Sequence, residues 1–127
     1  MSNPLANKII VSVTAEYDVR HSHPEKDKYV FRYKVHIQNN NAIAVQLVRR
    51  HWFIFDSSGV VREVEGMGVV GRQPVIEPGN SYFYESWSPL ETPIGQMWGT
   101  YTFKAKHVEP FKVQIPAFTL EARFKLN

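Results

Sequence analysis

The sequence of 127 residues contains no cysteine, which excludes disulfide bonds, thiolate metal ligands and cysteine nucleophiles. This absence is also typical of proteins in a reducing compartment. No stretch approaches the roughly 18 consecutive apolar residues of a membrane-spanning helix, and residues 1–5 lack the apolar run of a secretory signal. We therefore expect a cytoplasmic protein that does not bind membranes.

The chain also lacks a large net charge, because its 15 Lys and Arg residues and 12 Asp and Glu residues give a formal charge of only +3. Hydrophobic residues make up 43% of the chain and aromatic residues 13%, a composition that excludes an intrinsically disordered protein. A chain of this length is predicted to form a single domain over residues 1–127, with one hydrophobic core.

Helical periodicity is absent as well, and apolar residues instead alternate with polar ones along most of the chain. The alternation is cleanest over residues 29–38, where one phase holds Tyr29, Phe31, Tyr33, Val35 and Ile37. The pattern predicts strands at residues 8–17, 29–38, 44–55, 60–65, 81–87, 96–107, 111–115 and 118–126. Short turns rich in Gly, Pro and Asn separate them, which favours an all-β fold, an antiparallel β-sandwich of seven to nine strands.

Three irregularities interrupt this alternation. Apolar residues occur in both phases of residues 44–55, which indicates a β-bulge or a strand covered on both faces. Residues 39–41 are three consecutive asparagines and are predicted to form a turn. Pro116 is predicted to end one strand before the next begins at residue 118.

Residues 66–74 hold three of the seven glycines, spaced as Gly-x-Gly-x-x-Gly and followed by Arg72 and Pro74. A dinucleotide-binding fingerprint needs a helix after its glycines, and the prolines at 74 and 78 would break that helix, so this interpretation is rejected. A turn of this kind can still bind an anion through its amides. The candidate anion-binding residues are Gly66, Gly68, Gly71 and Arg72. The structural alternative is that the glycines let the chain cross between two sheets at positive φ, with Val69 and Val70 in the core.

Residues 66–74 and the following Pro78-Gly79 resemble the signature of the ApaG family. The resemblance extends over practically the whole chain. It includes Tyr33, Val35, Ile37 and Asn39, then Tyr82, Tyr84, Ser86, Leu90, Gly95, Met97, Gly99 and Tyr101.

The resemblance implies an immunoglobulin-like sandwich of the fibronectin type III kind, standing alone as a small bacterial protein. ApaG-like domains of eukaryotic F-box and DNA-polymerase-interacting proteins are taken to mediate protein contacts. In bacteria the family is associated with cobalt and magnesium resistance and lies near genes for dinucleoside tetraphosphate hydrolysis. The family has no established catalytic activity, so the resemblance implies a non-enzymatic binding or regulatory module that needs no cofactor.

Two histidines of one polar loop raise a metal hypothesis. His21 and His23 lie two residues apart, with Glu25 and Asp27 following. Metal sites need three or four convergent ligands, and the other histidines lie in separate predicted strands, so a solvated loop is favoured and no metal site is predicted.

Neither catalysis nor nucleic-acid binding is favoured by the motifs. No Gly-x-Ser-x-Gly elbow surrounds any serine, and no motif brings an acid, a base and a nucleophile together. Basic residues cluster near the C-terminus but alternate with aromatic residues, which places the two types on opposite faces. They are Lys104, Lys106, Lys112, Arg123 and Lys125.

A protein partner is therefore the leading expectation, with a small phosphate compound at residues 66–72 as the alternative. Sandwich domains offer edge strands and end loops as docking surfaces. Aromatic side chains dominate interface energies, so Trp87, Trp98 and Tyr101 are the residues whose exposure would indicate such a surface.

Overall fold

A computed structural model describes residues 3–123 of the chain, and its regular elements are eight strands and two short 3₁₀ turns. The turns are Ala6–Lys8 and Pro24–Lys26. The strands are β1 Ile9–Tyr17, β2 Tyr29–Asn39, β3 Val45–Asp56, β4 Val61–Met67, β5 Val75–Ile76, β6 Ser81–Leu90, β7 Ile94–Ala105 and β8 Val108–Glu121. The described part contains no α-helix, and the predicted all-β class is confirmed.

The strands form two antiparallel sheets. The first has three strands in the order β1-β2-β6, and the second has the order β4-β3-β7-β8 with β5 added to β3. Consecutive strands along the chain pair with each other or lie in opposite sheets, except β4 and β5, which both pair with β3. The predicted immunoglobulin-like, fibronectin type III-like sandwich of seven to nine strands is thereby confirmed.

The core lies between the sheets and is built from one phase of each long strand. In β2, the predicted inward residues Phe31, Tyr33, Val35 and Ile37 are all buried, and the next residues along the strand are more exposed. β3 shifts its register between Leu47 and Arg49, so the predicted bulge is present. The bulge changes which phase faces inward, and it explains why apolar residues occupy both phases.

Two predicted C-terminal strands are in fact the single strand β8, and Pro116 does not separate them. Pro116 and Ala117 together face one residue of β7, because Met97 pairs with Phe118 and Gly99 pairs with Ile115. A proline can occupy a bulge of an edge strand, since no ladder hydrogen bond is required of it there. The predicted strand residues 124–126 lie outside the described part of the chain.

The carboxylate of Asp56 joins the β3–β4 hairpin to the β6–β7 connection. Its Oδ1 accepts hydrogen bonds from Ser58 N at 2.9 Å and from Thr92 Oγ1 at 2.8 Å, and its Oδ2 accepts one from Glu91 N at 2.8 Å. Burial by itself would raise the pKa of Asp56, but these hydrogen bonds prevail and lower that pKa to about 2.

The stability of the protein should therefore depend on the ionisation of Asp56. Because the folded-state pKa lies below the ordinary value of 3.8, the stabilisation is present above about pH 4 and is lost as pH falls through about 2. The shift corresponds to about 2 kcal/mol. We expect Asp56→Asn to lose about that much stability in urea unfolding at pH 7. The variant should also lack the acid step, which is the loss of stability that the wild type shows as pH falls from about 4 through about 2.

The matched control is Asp27→Asn, which changes an exposed aspartate at a position of positive φ that asparagine tolerates. This variant should unfold like the wild type at every pH. An Asp56→Asn variant that retained the wild-type acid step would show that another carboxylate causes it.

Candidate functional site

Gly66, the first glycine of the predicted glycine loop, belongs to strand β4 and leaves room for the side chain of Arg50. Gly66 pairs with Arg50, whose side chain lines the space between the sheets. A Cβ atom at Gly66 would lie 3.1 Å from Arg50 Nη1. Nη1 itself donates hydrogen bonds of 3.0 Å to Met67 O and to Gly68 O. The absent side chain at Gly66 thus allows the guanidinium to lie against β4.

The rest of the loop is a tight turn whose amides are largely engaged within the protein. Gly68 N donates to Val48 O at 2.8 Å, and the amides of Val69 and Arg72 donate to each other's carbonyl oxygens at 2.8 and 3.0 Å. Val70 and Gly71 form the tip with φ of 47° and 76°. Two successive positive φ values in a two-residue turn are typical of type I′.

The structural alternative proposed for the glycines needs two corrections. The chain does not cross between sheets here, because β4 and β5 pair successively with the same edge of β3 and the crossing follows β5. Val69 is fully buried as predicted, but Val70 is 63% exposed at the tip of the turn. Its positive φ is strained for a β-branched residue.

The same geometry reduces the number of backbone amides that the predicted anion nest could offer to a ligand. The Gly68 amide is bonded to the bulge of β3, and Gly66 is a strand residue. Gly71 and the Arg72 side chain lie exposed at the tip. Anion binding by this loop stays a prediction, and its donors are the tip amides and the guanidinium of Arg72.

A cleft of about 180 Å³ lies between the two sheets where β4 and β6 form neighbouring edges. We call it the inter-sheet cleft and define it by six of its lining residues. They are Tyr33, Arg50, Trp52, Arg62, Ser86 and Ser88. The five-stranded sheet supplies both arginines and the tryptophan, and the three-stranded sheet supplies the tyrosine and the serines.

Two residues that line this cleft each carry a buried polar atom with no hydrogen-bond partner among the described residues. They are Trp52 Nε1 and Ser88 Oγ, and both residues are only 2% exposed. The Trp52 indole lies close enough to the Tyr84 hydroxyl to lower the pKa of that tyrosine, but it does not meet hydrogen-bond geometry. Because an unpaired buried polar group costs about 1–3 kcal/mol, each such group in a native fold calls for a physical reason.

The cleft is also positively charged. Neither Arg50 nor Arg62 has a carboxylate within 4.0 Å among residues 3–123, although every acidic residue of β4 pairs with a group on β3. Arg62 Nη2 instead donates to Pro89 O, so it links β4 to β6 across the open side. Two guanidinium groups without counter-ions raise the local positive potential.

Three tyrosines lie close enough to Arg50 to be influenced by its charge, and one of them, Tyr33, lines the cleft. Burial raises the pKa of Tyr33, Tyr84 and Tyr101 above the ordinary value, and the charge of Arg50 opposes that increase at each of them. The hydroxyls of Tyr84 and Tyr101 are hydrogen-bonded to each other. All three tyrosines therefore stay neutral at physiological pH and act as hydrogen-bonding groups.

Aromatic side chains are also exposed on the outer face of the three-stranded sheet. Phe83 is 69% exposed and Trp87 is 54% exposed, and both project from edge strand β6 on the same side. His36 of β2 stacks on Phe83 with ring centroids 4.3 Å apart and an interplanar angle of 13°. We call His36, Phe83 and Trp87 the aromatic face.

Of the three aromatic residues predicted to indicate a surface, only Trp87 is exposed. Tyr101 is fully buried in the core. Trp98 is partly covered because it stacks on Phe53 with centroids 5.9 Å apart. Phe83 is not among the predicted residues, although its position four residues before Trp87 in a strand places both on one face.

The histidines of the polar loop contact different carboxylates. His21 Nδ1 lies 2.8 Å from Asp18 Oδ2, and His23 Nδ1 lies 3.4 Å from Glu25 Oε1. Across residues 3–123, no group of three or more His, Asp or Glu side chains is placed to hold a metal ion.

Sequence reasoning missed the inter-sheet cleft, although the alternation contains a signal for it. Ser86 and Ser88 occupy the inward phase of β6, in register with Tyr33 and Phe31 of the core. Arg50 of β3 pairs with the buried Tyr101 of β7, so the two side chains lie on the same inward face of the sheet. Polar residues in the apolar phase of neighbouring strands indicate either a satisfied network or a site.

Comparison with known proteins gives consistent matches. The profile of a family described as the ApaG domain matches residues 19–105. A protein of Rhizobium leguminosarum bv. trifolii named Protein ApaG is 48% identical over 96% of this chain and 94% of its own length. Another of that name, from Agrobacterium fabrum, is 47% identical with the same coverage.

Solved structures show the same relationship. The crystal structure of a Bordetella pertussis protein described as ApaA is 44% identical, covers 89% of this chain and 92% of its own, and superposes with a TM-score of 0.86. A putative late embryogenesis abundant protein at 12% identity and a TM-score of 0.55 shares the fold alone. Within residues 3–123, no helix is long and apolar enough to cross a membrane.

Proposed function

This chain belongs to the ApaG family, and we propose that it is a non-enzymatic module that binds another protein through the aromatic face. The observation that carries the proposal is the joint exposure of Phe83 and Trp87 on one side of an edge strand. Large aromatic side chains supply much of the energy at protein interfaces, and their exposure on a free protein is otherwise unfavourable.

The position of β6 suggests how the partner binds. β6 pairs with β2 on one side only, so its other edge offers backbone groups to an additional strand. An extended segment of the partner can pair there while its apolar side chains cover Phe83 and Trp87. We therefore propose a partner that presents an extended, apolar peptide segment.

Charge on the outer face supports a protein partner over a nucleic acid. Arg32 forms ion pairs with Glu16 of β1 and with Glu85 of β6, and the latter contact is 3.2 Å long. Lys34 is the other basic side chain on this face. Two basic side chains therefore balance the two glutamates, and the face is close to neutral. Binding that follows a phosphate backbone needs a net positive surface, which this face lacks.

Site-specific photo-crosslinking in cells tests the proposal. A photoreactive phenylalanine analogue placed at position 83 should crosslink to a distinct partner protein, because the side chain lies in the proposed interface. The same analogue at position 70, also an exposed apolar site, should not crosslink to that partner. With purified partner, Trp87→Ser should weaken binding by at least about tenfold, the effect of losing one aromatic anchor.

The matched control is Val19→Ser, which removes an exposed apolar side chain outside the aromatic face. It should bind like the wild type. Crosslinks from position 83 only to a second copy of this chain would overturn the proposal in favour of a homodimer, and equal crosslinking from positions 70 and 83 would also overturn it.

A further inference from the structure

We propose that the inter-sheet cleft binds a phosphate-type oxyanion, held by Arg50, Trp52 and Ser88 between the two sheets. The site is separate from the glycine-loop tip. Trp87 of the aromatic face also lines the cleft, but Phe83 does not, so substitutions of Phe83 test the proposed protein interface without changing the lining of the cleft.

The donors of the cleft-lining residues match an anion, and two of them, Trp52 Nε1 and Ser88 Oγ, have no hydrogen-bond partner among residues 3–123. The Trp52 indole can only donate a hydrogen bond, and an arginine has more N–H groups than the two bonds of Arg50 Nη1 use. The Ser88 hydroxyl can donate as well, and Arg62 adds a second positive charge at the rim. Buried donors with unpaired cations beside them are the chemistry of an oxyanion site.

The arrangement of the donors favours a tetrahedral group over a planar one. Arg50 and Trp52 lie on the five-stranded sheet, and Ser88 lies on the three-stranded sheet opposite. A phosphate presents oxygens toward both walls, whereas a carboxylate presents its two oxygens in one plane.

The size of the cleft limits the ligand. At about 180 Å³ it is smaller than the roughly 300–1,000 Å³ pockets that enclose drug-sized molecules. A free phosphate, a pyrophosphate or one phosphoryl group of a small metabolite can enter, while a complete dinucleotide cannot.

This proposal also gives a reason for Gly66. A Cβ atom there would lie 3.1–3.3 Å from three atoms of the Arg50 guanidinium, so glycine leaves that group its observed position without displacement. In this proposal the glycine-rich segment contributes to the site through Gly66, which accommodates the side chain of Arg50. Its backbone amides do not bind the anion.

The test is an NMR titration of the purified protein that follows its three tryptophan indole N–H signals. The probes are inorganic phosphate, pyrophosphate, glycerol 3-phosphate and acetate. The Trp52 signal should move saturably with the phosphate probes and the Trp98 signal should not, with assignments obtained from Trp87→Phe and Trp98→Phe.

Acetate should bind at least about tenfold more weakly than phosphate, because a planar group meets fewer donors. Tighter binding of the phosphomonoester than of free phosphate would identify a metabolite as the source.

Substitutions of the lining residues distinguish binding in the cleft from binding elsewhere on the protein. Ser88→Ala should weaken phosphate binding about tenfold yet leave the melting temperature unchanged or higher, because it removes an unpaired buried hydroxyl. Ser12→Ala, an exposed serine on the outer face, should change neither quantity. Arg50→Lys should also weaken binding, since the ammonium group cannot reproduce the planar fork of donors.

Three results would overturn the proposal. One is a Trp52 signal that does not move saturably with any phosphate probe. Another is Ser88→Ala binding phosphate as tightly as the wild type. The third is loss of binding in Arg72→Ala with no change in Ser88→Ala, which would assign the anion to the glycine-loop tip instead.

Discussion

Replacing Gly99 with alanine is expected to destabilise the protein by more than about 4 kcal/mol, a large share of the stability of a domain of this size. A Cβ atom at this position would lie 2.1 Å from His51 O and 3.1 Å from Trp52 Cα on the neighbouring strand. Both contacts are with backbone, so relief requires β3 and β7 to separate in the centre of the five-stranded sheet. Urea unfolding, or failure to fold at all, measures the effect.

Gly71→Ala is the matched control for this prediction. Gly71 has a φ of 76°, but an added Cβ would meet no atom within 4 Å, so the cost is conformational only. We expect that cost to be about 1–2 kcal/mol. If the two variants lost similar stability, the steric argument for Gly99 would be wrong.

Replacing Asn39 with leucine is expected to cost about 3–5 kcal/mol, because one buried side chain links three segments. Asn39 Nδ2 donates to Ile76 O at 2.9 Å and to Ile43 O at 3.0 Å, and Oδ1 accepts from Asn41 N at 3.0 Å. Leucine has a similar size but leaves these backbone groups unpaired, at about 1–3 kcal/mol for each buried group. Thermal and urea unfolding should both show the loss.

Asn40→Ala provides the control for Asn39. Asn40 is exposed and contributes its backbone amide, which donates to Lys8 O and is unaffected by the substitution. Its stability should change by no more than about 0.5 kcal/mol. An equal loss in both variants would show that the local turn, rather than the buried amide of Asn39, sets the stability.

The run of asparagines shows how far local sequence reasoning extends. Residues 39–41 are predicted to form a turn, and Asn41 N does bond to the Asn39 side chain two residues earlier. Yet Asn39 ends β2 and is fully buried, with one hydrogen bond to a residue 37 positions away. Local propensity indicates that an asparagine can bond to backbone, but it does not say which backbone.

Pro116 illustrates the same limit for strand boundaries. Proline lacks an N–H, so a strand is predicted to stop there. The prediction is wrong because β8 is an edge strand with a bulge at that point, and both properties depend on which strands become neighbours. Neighbour relations of this kind are fixed by pairing across the sheet.

The fold class and most of the core can be predicted from the order of residues alone. Alternation over residues 29–38 predicts the buried face of β2, because side chains on a strand point to opposite sides and apolar ones leave water. The glycine-rich segment carries the family resemblance, which the comparisons confirm.

The places where polar groups meet depend instead on how the two sheets pack. Arg50, Trp52 and Ser88 lie on strands from different sheets, and it is sheet packing that places them around one cleft. The exposure of Phe83 and Trp87 likewise follows from the packing of the sheets, which turns their face of β6 away from the core. Apolar burial depends on a periodic pattern that is readable along the chain, whereas hydrogen bonds and charges depend on distances between atoms that are far apart in sequence.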